Sequence, residues 1–151
     1  MKIAIGADHR GFELKERIKA LLASLHHEAI DVGTLGAESV DYTDFAIAAA
    51  EAVSQGRADR GILICGSGVG MSIAANKVDG VRAALAVTPD GARLARAHND
   101  ANVLTLGSWQ AGDAAAVVEI VKTFLATAFE GGRHARRVEK IREYEKKRGR
   151  S

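Results

Sequence analysis

Gly61-Ile62-Leu63-Ile64-Cys65-Gly66-Ser67-Gly68-Val69-Gly70 is the stretch that decides the fold. Its first half is apolar without alternation, the pattern of a strand buried on both faces in the middle of a parallel sheet. Its second half alternates glycine with other residues, which marks a tight strand-to-helix turn. Residues 69–77 then read as a short helix. Outward from this unit the same alternation repeats. Downstream, 82–87 reads as a strand, and Pro89 suits the first turn of the helix after it; 102–106 is a last strand. Val117, Val121, Phe124, Leu125 and Ala128 mark one face of a long helix. Upstream, 3–7 is a strand, and Leu14, Ile18, Leu21, Leu22 and Leu25 share a helical face. A weaker strand covers 28–32, and an alanine-rich helix covers 42–54, ended by Gly56. Residues 133–148 form a charged final helix anchored only by Val138 and Ile141, a face too narrow to dock well alone, so it is expected to pack on a second subunit. Strand and helix alternating five times imply an α/β fold. It is a single doubly wound, Rossmann-like domain over residues 1–151, with a five-stranded parallel sheet covered by helices on both faces.

Composition narrows the function. The chain has 151 residues, 47% hydrophobic and 26% charged, which is ordinary globular usage. No apolar run approaches 18 residues, so no membrane span is expected. No basic n-region or cleavage site precedes the first strand, so no signal peptide is expected. A lone cysteine makes no internal disulfide and fits a cytoplasmic protein. The net charge of +2 hides an asymmetry: residues 133–151 carry nine Lys/Arg against three Asp/Glu, which leaves −4 on the rest. That tail is either a solvated helix end or an anion-binding surface. An acidic body, few aromatics and no helix-turn-helix or zinc spacing argue against nucleic acid.

Doubly wound sheets bind ligands at the carboxyl ends of their strands. The polar residues there are Asp8 and His9, Cys65 to Gly70, Thr88, and Gly107 to Trp109. His98 and Asn99 lie just before the last strand, and all are expected to converge on one crevice. The glycine turn lacks the Lys-Ser/Thr end of a P-loop and the dinucleotide spacing. Its pattern leaves open a phosphate loop, an oxyanion site or a structural turn. Cys65 stands where strand meets helix-terminal N–H groups, which favour a thiolate; the competing reading is an inert core cysteine. His98-Asn99-Asp100 offers a general acid/base among polar neighbours. Arg133 and Arg137 lie at i, i+4 with His134 beside them, a cluster suited to a phosphate dianion or simply a solvated face. The five histidines show no ligand spacing with Cys65, so neither a metal nor a cofactor is expected.

Taken together, Ile5-Gly6-Ala7-Asp8-His9-Arg10-Gly11, Asp41-Tyr42, the 61–70 stretch, Ala74, Asn76-Lys77, the 96–104 stretch from Arg96 through His98-Asn99-Asp100 to Leu104, and Glu130-Gly131-Gly132-Arg133-His134 resemble the ribose-5-phosphate isomerase B group over essentially the whole chain. That group also includes the galactose-6-phosphate isomerase subunits. The resemblance implies metal-free aldose–ketose isomerisation in carbohydrate metabolism, interconverting ribose 5-phosphate and ribulose 5-phosphate. Cys65 would be the base that moves a proton between C1 and C2. A second branch of the family places a carboxylate where this chain has Met71, so the chain resembles the cysteine branch. The N–H groups of Gly66, Gly68, Val69 and Gly70 would hold the enediolate. Ser67 would pass a hydroxyl proton, and His98 would assist ring opening. Asp8 would meet ring or hydroxyl oxygens, and Asn99 the substrate hydroxyls, with Tyr42 also at the substrate. His9, Arg133, His134 and Arg137 resemble the phosphate group. Relatives are homodimers or tetramers that share sites between subunits. One departure stands out: relatives commonly carry an arginine that helps bind phosphate where this chain has Trp109. Losing such a charge-assisted contact costs about 1.5–3 kcal/mol if nothing replaces it. Trp109 therefore opens the alternatives of a tetrose 4-phosphate or a hexose 6-phosphate such as allose or galactose 6-phosphate. A non-catalytic sugar-phosphate sensor is the rival from outside enzymology.

Overall fold

The structure is a computed structural model that describes residues 1–110 and 113–149. Strands β1 (Lys2–Ala7), β2 (Glu28–Gly33), β3 (Arg60–Cys65), β4 (Ala83–Leu85) and β5 (Val103–Gly107) alternate with α1 (Phe12–Ser24), α2 (Tyr42–Ser54), α3 (Val69–Ala75), α4 (Pro89–Asn99), α5 (Ala114–Ala126) and α6 (Arg133–Arg148). The sheet is parallel throughout, in the order β2-β1-β3-β5-β4. The chain winds outward from β1 on one side and from β3 on the other. The switch point therefore falls between β1 and β3, where their carboxyl ends open a crevice.

The unbroken apolar runs have a simple cause: both faces of the sheet are covered. Along β3, Ile62 and Ile64 point into a core shared with Ile18, Leu22, Val117, Val121 and Phe124 of α1 and α5. Leu63 and Cys65 point the other way, into a core built from Ala46, Ala49 and Ala50 of α2 and Met71 and Ala75 of α3. Side chains alternate along a strand, so the register that buries Ile64 on one face delivers Cys65 to the other. The alanines of α2 keep that helix close enough to the sheet to cover it.

One expectation needs correction. The strand over 82–87 is only the three residues Ala83–Leu85. It is an edge strand, and the Asn76 side chain takes its outer backbone: Asn76 Oδ1 accepts from the Ala83 N–H (2.8 Å) and Asn76 Nδ2 donates to the Ala83 carbonyl (2.9 Å). A side chain thus does the work of a sixth strand and blunts the edge. The final helix, expected to dock weakly alone and to pack on a second subunit, makes contacts with its own chain. Val138 and His134 are buried. Arg142 reaches Asp100 (3.7 Å), Glu145 accepts from the Gly80 N–H (3.1 Å), and Arg148 pairs with Asp79. Ile141 and Tyr144 stay exposed.

Candidate active site

The carboxyl ends of β1, β3 and β5 meet as the sequence predicts. Cys65 is 5% exposed, and the Gly68 N–H donates to its Sγ at 3.1 Å. That contact exists because Gly68 caps α3 with φ +77°, a left-handed conformation that glycine adopts without strain. The chain thereby turns back on the sulfur and starts a helix within three residues. Ser67 Oγ accepts from the Val69 N–H at 3.2 Å. The N–H groups of Gly70 and Met71, in the first turn of α3, have no acceptor inside the helix, whose ladder begins with Ser72 N–H on the Gly68 carbonyl.

The loop is clamped from β5: Ser108 N–H donates to the Cys65 carbonyl (2.8 Å) and Trp109 N–H to the Gly66 carbonyl (3.0 Å). A Cβ on Gly66 would stand 2.6 Å from the Trp109 ring, and one on Gly70 would stand 2.7 Å from the Tyr42 ring. Two aromatic rings thus rest directly on the loop. Asp8 is buried, and its Oδ1 accepts from the N–H groups of Arg10 (2.9 Å) and Gly11 (3.1 Å), so its carboxylate shapes the entry to α1. Val40 N–H donates to His9 Nδ1 at 3.2 Å, which leaves Nε2 to carry the proton of the neutral ring. Thr88 caps α4, accepting from the Gly91 N–H at 3.0 Å.

His98 and Asn99 do not join this crevice. They end α4, which runs back along the sheet, so they sit at the amino end of β5. A strand of five or six residues puts about 17–20 Å between the two ends. At that far end a second cluster forms. The His98 and His134 rings stack with centroids 4.1 Å apart and planes 11° apart. Glu130 Oε2 lies 3.9 Å from His98 Nε2 and 3.6 Å from His134 Nε2. Arg133 and Arg137 project from the same helix as His134. Desolvation lowers the His134 pKa from the ordinary histidine value, helped by His98 and Arg133 and opposed by Glu130. Nitrogen and oxygen atoms of His98, Glu130 and His134 lie within 4.8 Å of one another. Nearly parallel imidazole planes, however, send their lone pairs side by side rather than toward one ion, so a metal would need a ring to turn.

The sequence reading missed Glu130 and Arg10. Arg10 adjoins His9 in sequence, whereas Glu130 is brought to His98 and His134 by the fold.

A doubly wound sheet with a cysteine–glycine loop at its switch point defines an α/β protein with a place for a small ligand there. The comparisons then specify which. The family model described as Ribose/Galactose Isomerase matches residues 3–141. Ribose-5-phosphate isomerase B of Escherichia coli is 50% identical over 147 residues, 97% of this chain and 98% of that one. A ribose-5-phosphate isomerase B structure from Clostridium thermocellum superposes with a TM-score of 0.95 at 54% identity, covering 97% and 99% of the two chains. The Mycoplasma genitalium enzyme, solved with bound ribulose 5-phosphate, superposes with a TM-score of 0.92 at 46% identity, covering 96% of each. This chain belongs to the ribose/galactose isomerase family and is an aldose–ketose isomerase.

Proposed function

We propose that the chain, acting as one domain, interconverts ribose 5-phosphate and ribulose 5-phosphate in the cytoplasm through an enediolate. The observation that carries this reading is the Cys65 thiol held against the Gly68 N–H at the mouth of a helix-terminal donor array. A thiolate there removes the C2 proton of the open-chain aldose and returns it to C1. The N–H groups of Gly66, Gly68, Val69 and Gly70 meet the charge that develops on oxygen, where preorganised donors act most strongly. Ser67 carries the hydroxyl proton. Asp8 orients ring and hydroxyl oxygens, and Tyr42 closes the wall. His98 protonates the ring oxygen during opening, Asn99 binds hydroxyls, and His9, Arg133, His134 and Arg137 hold the phosphate. No step requires a metal or a cofactor.

These groups occupy two ends of one chain, so the working unit in this reading is a homodimer, or a tetramer built from it. One subunit gives the Cys65 half of each site and its partner the His98 half. Support comes from the surface beside the loop, where Val69 (46% exposed), Ile73 (58% exposed) and Ile47 leave an apolar face uncovered.

The test is turnover of ribose 5-phosphate in EDTA by the native chain and by Cys65→Ala. Loss of a positioned base costs on the order of 10²–10⁴-fold, and a variant that keeps its rate would refute the assignment. Trp109 favours a second reading, another phosphosugar. Comparing kcat/KM across tetrose, pentose and hexose phosphates decides between them.

A further inference from the structure

Arg10 is a cation at the switch point that the isomerase reading leaves without a task, and Arg17 lines the same cleft beside it. It directly follows Asp8 and His9 at the switch point, and its backbone is pinned by the hydrogen bond to Asp8 Oδ1. Its side chain is exposed, and its guanidinium carbon lies 5.1 Å from the centroid of the Trp109 ring. Among the described residues, no carboxylate comes within ion-pair distance of it. Arg82, Arg93, Arg96 and Arg142, by contrast, all have acidic partners. Glu13 and Asp113 line the same open cleft of about 400 Å³. Asp113 is committed to capping α5 through the Ala116 N–H (2.8 Å), and Glu13 does not pair with Arg10. The guanidinium is thus set over the ring, and among the described residues its donors make no hydrogen bond.

The way it is held matters. A cation resting over an aromatic face uses that face and keeps its in-plane N–H donors free for an anion. The same indole lies against Gly66. One aromatic ring therefore contacts both the cation and the catalytic loop. The geometry points to Arg10, positioned by Trp109, as the guanidinium through which the Cys65 half-site grips the distal phosphate of the substrate. This rests on the sugar-phosphate reading above and adds to it a contact made within the same subunit. Trp109 then does not simply remove a phosphate-binding charge from the last loop. It seats another one in its place, delivered from the start of α1.

Trp109 is the only tryptophan in the chain, so its emission reports on this site alone. Inorganic phosphate is titrated into the native protein, Arg10→Met and Arg10→Lys, read by Trp109 fluorescence and, independently of the fluorophore, by calorimetry. Arg10→Met is expected to weaken phosphate binding roughly tenfold or more, with Arg10→Lys between it and the native chain, since lysine keeps the charge and loses the fork. The KM for ribose 5-phosphate should rise in parallel while kcat changes less. Unchanged phosphate affinity and KM in Arg10→Met, with its melting temperature intact, overturns the inference. A fall in kcat without a rise in KM overturns it too. A native chain that needs Arg10 for phosphate but does not turn over ribose 5-phosphate keeps the phosphate contact and refutes the substrate instead.

Discussion

Mixing two inactive variants should restore activity. Cys65→Ala removes the thiol at the carboxyl end of β3, and His98→Asn removes the imidazole at the end of α4, by the amino ends of the strands. The length of a strand, about 17–20 Å, is too far for one small sugar phosphate to touch both within a chain. If each site takes its Cys65 half from one subunit and its His98 half from the other, the parent homodimers carry one damaged half in every site. Random pairing on co-expression makes about half of the dimers mixed. Each mixed dimer then holds one intact site and one doubly damaged site, because a two-fold axis exchanges the halves. About a quarter of the native activity should therefore return. The assay is ribose 5-phosphate turnover by the co-expressed, dual-tagged protein, normalised to chain concentration, with native mass spectrometry counting mixed dimers. Activity no greater than that of the parents, in a sample where mixed dimers are confirmed, would refute the shared site.

Two further outcomes follow from charged groups. Lys15 is fully buried, with its Nζ 2.7 Å from both Asp31 oxygens. Asp31→Asn leaves that ammonium only Glu16 (3.4 Å) as an acidic partner and should cost about 3–5 kcal/mol, or roughly 6–20 °C in Tm at 2–4 °C per kcal/mol. The double variant with Lys15→Met should recover much of the loss; a single variant that melts like the native chain would show the pair to be dispensable. Burial pushes the Asp31 carboxyl up, but hydrogen bonds from Lys15, Lys19 and the Gly33 N–H outweigh it and hold the pKa below 3.8. This stabilisation is complete above pH 3.8 and disappears as the pH falls through the folded-state value. His134 works in the same direction at higher pH. Its folded-state pKa lies below 6.5, because desolvation and the neighbouring His98 and Arg133 disfavour the imidazolium. The unfolded chain therefore binds the extra proton first, and stability drops as pH falls below 6.5. His134→Gln should flatten that part of the Tm–pH profile, and an unchanged slope would show that other groups set it.

The order of elements was legible from the chain because each signal is local. Residues 61–65 are apolar at every position, which only a strand covered on both faces requires, and helices with 3–4 spacing separate such runs. The Cys65 loop was legible for the same reason: glycine alternation and a strand end are properties of adjacent residues. Docking of α6 was not legible, because His134 contributes buried surface that a count of aliphatic residues omits. Nor was the length of β4, which Asn76 limits from another element. The direction of α4 decided most. His98 and Cys65 are 33 positions apart, and only the antiparallel return of that helix sends one to the far end of the sheet. Trp109 shows the same limit at the scale of one residue. The sequence placed a tryptophan in the turn after β5, where the resemblance implies an arginine; the tertiary structure decided that Arg10, 99 positions away, lies over that ring. Local patterns specify which elements form, but distance in space is a property of the packed sheet.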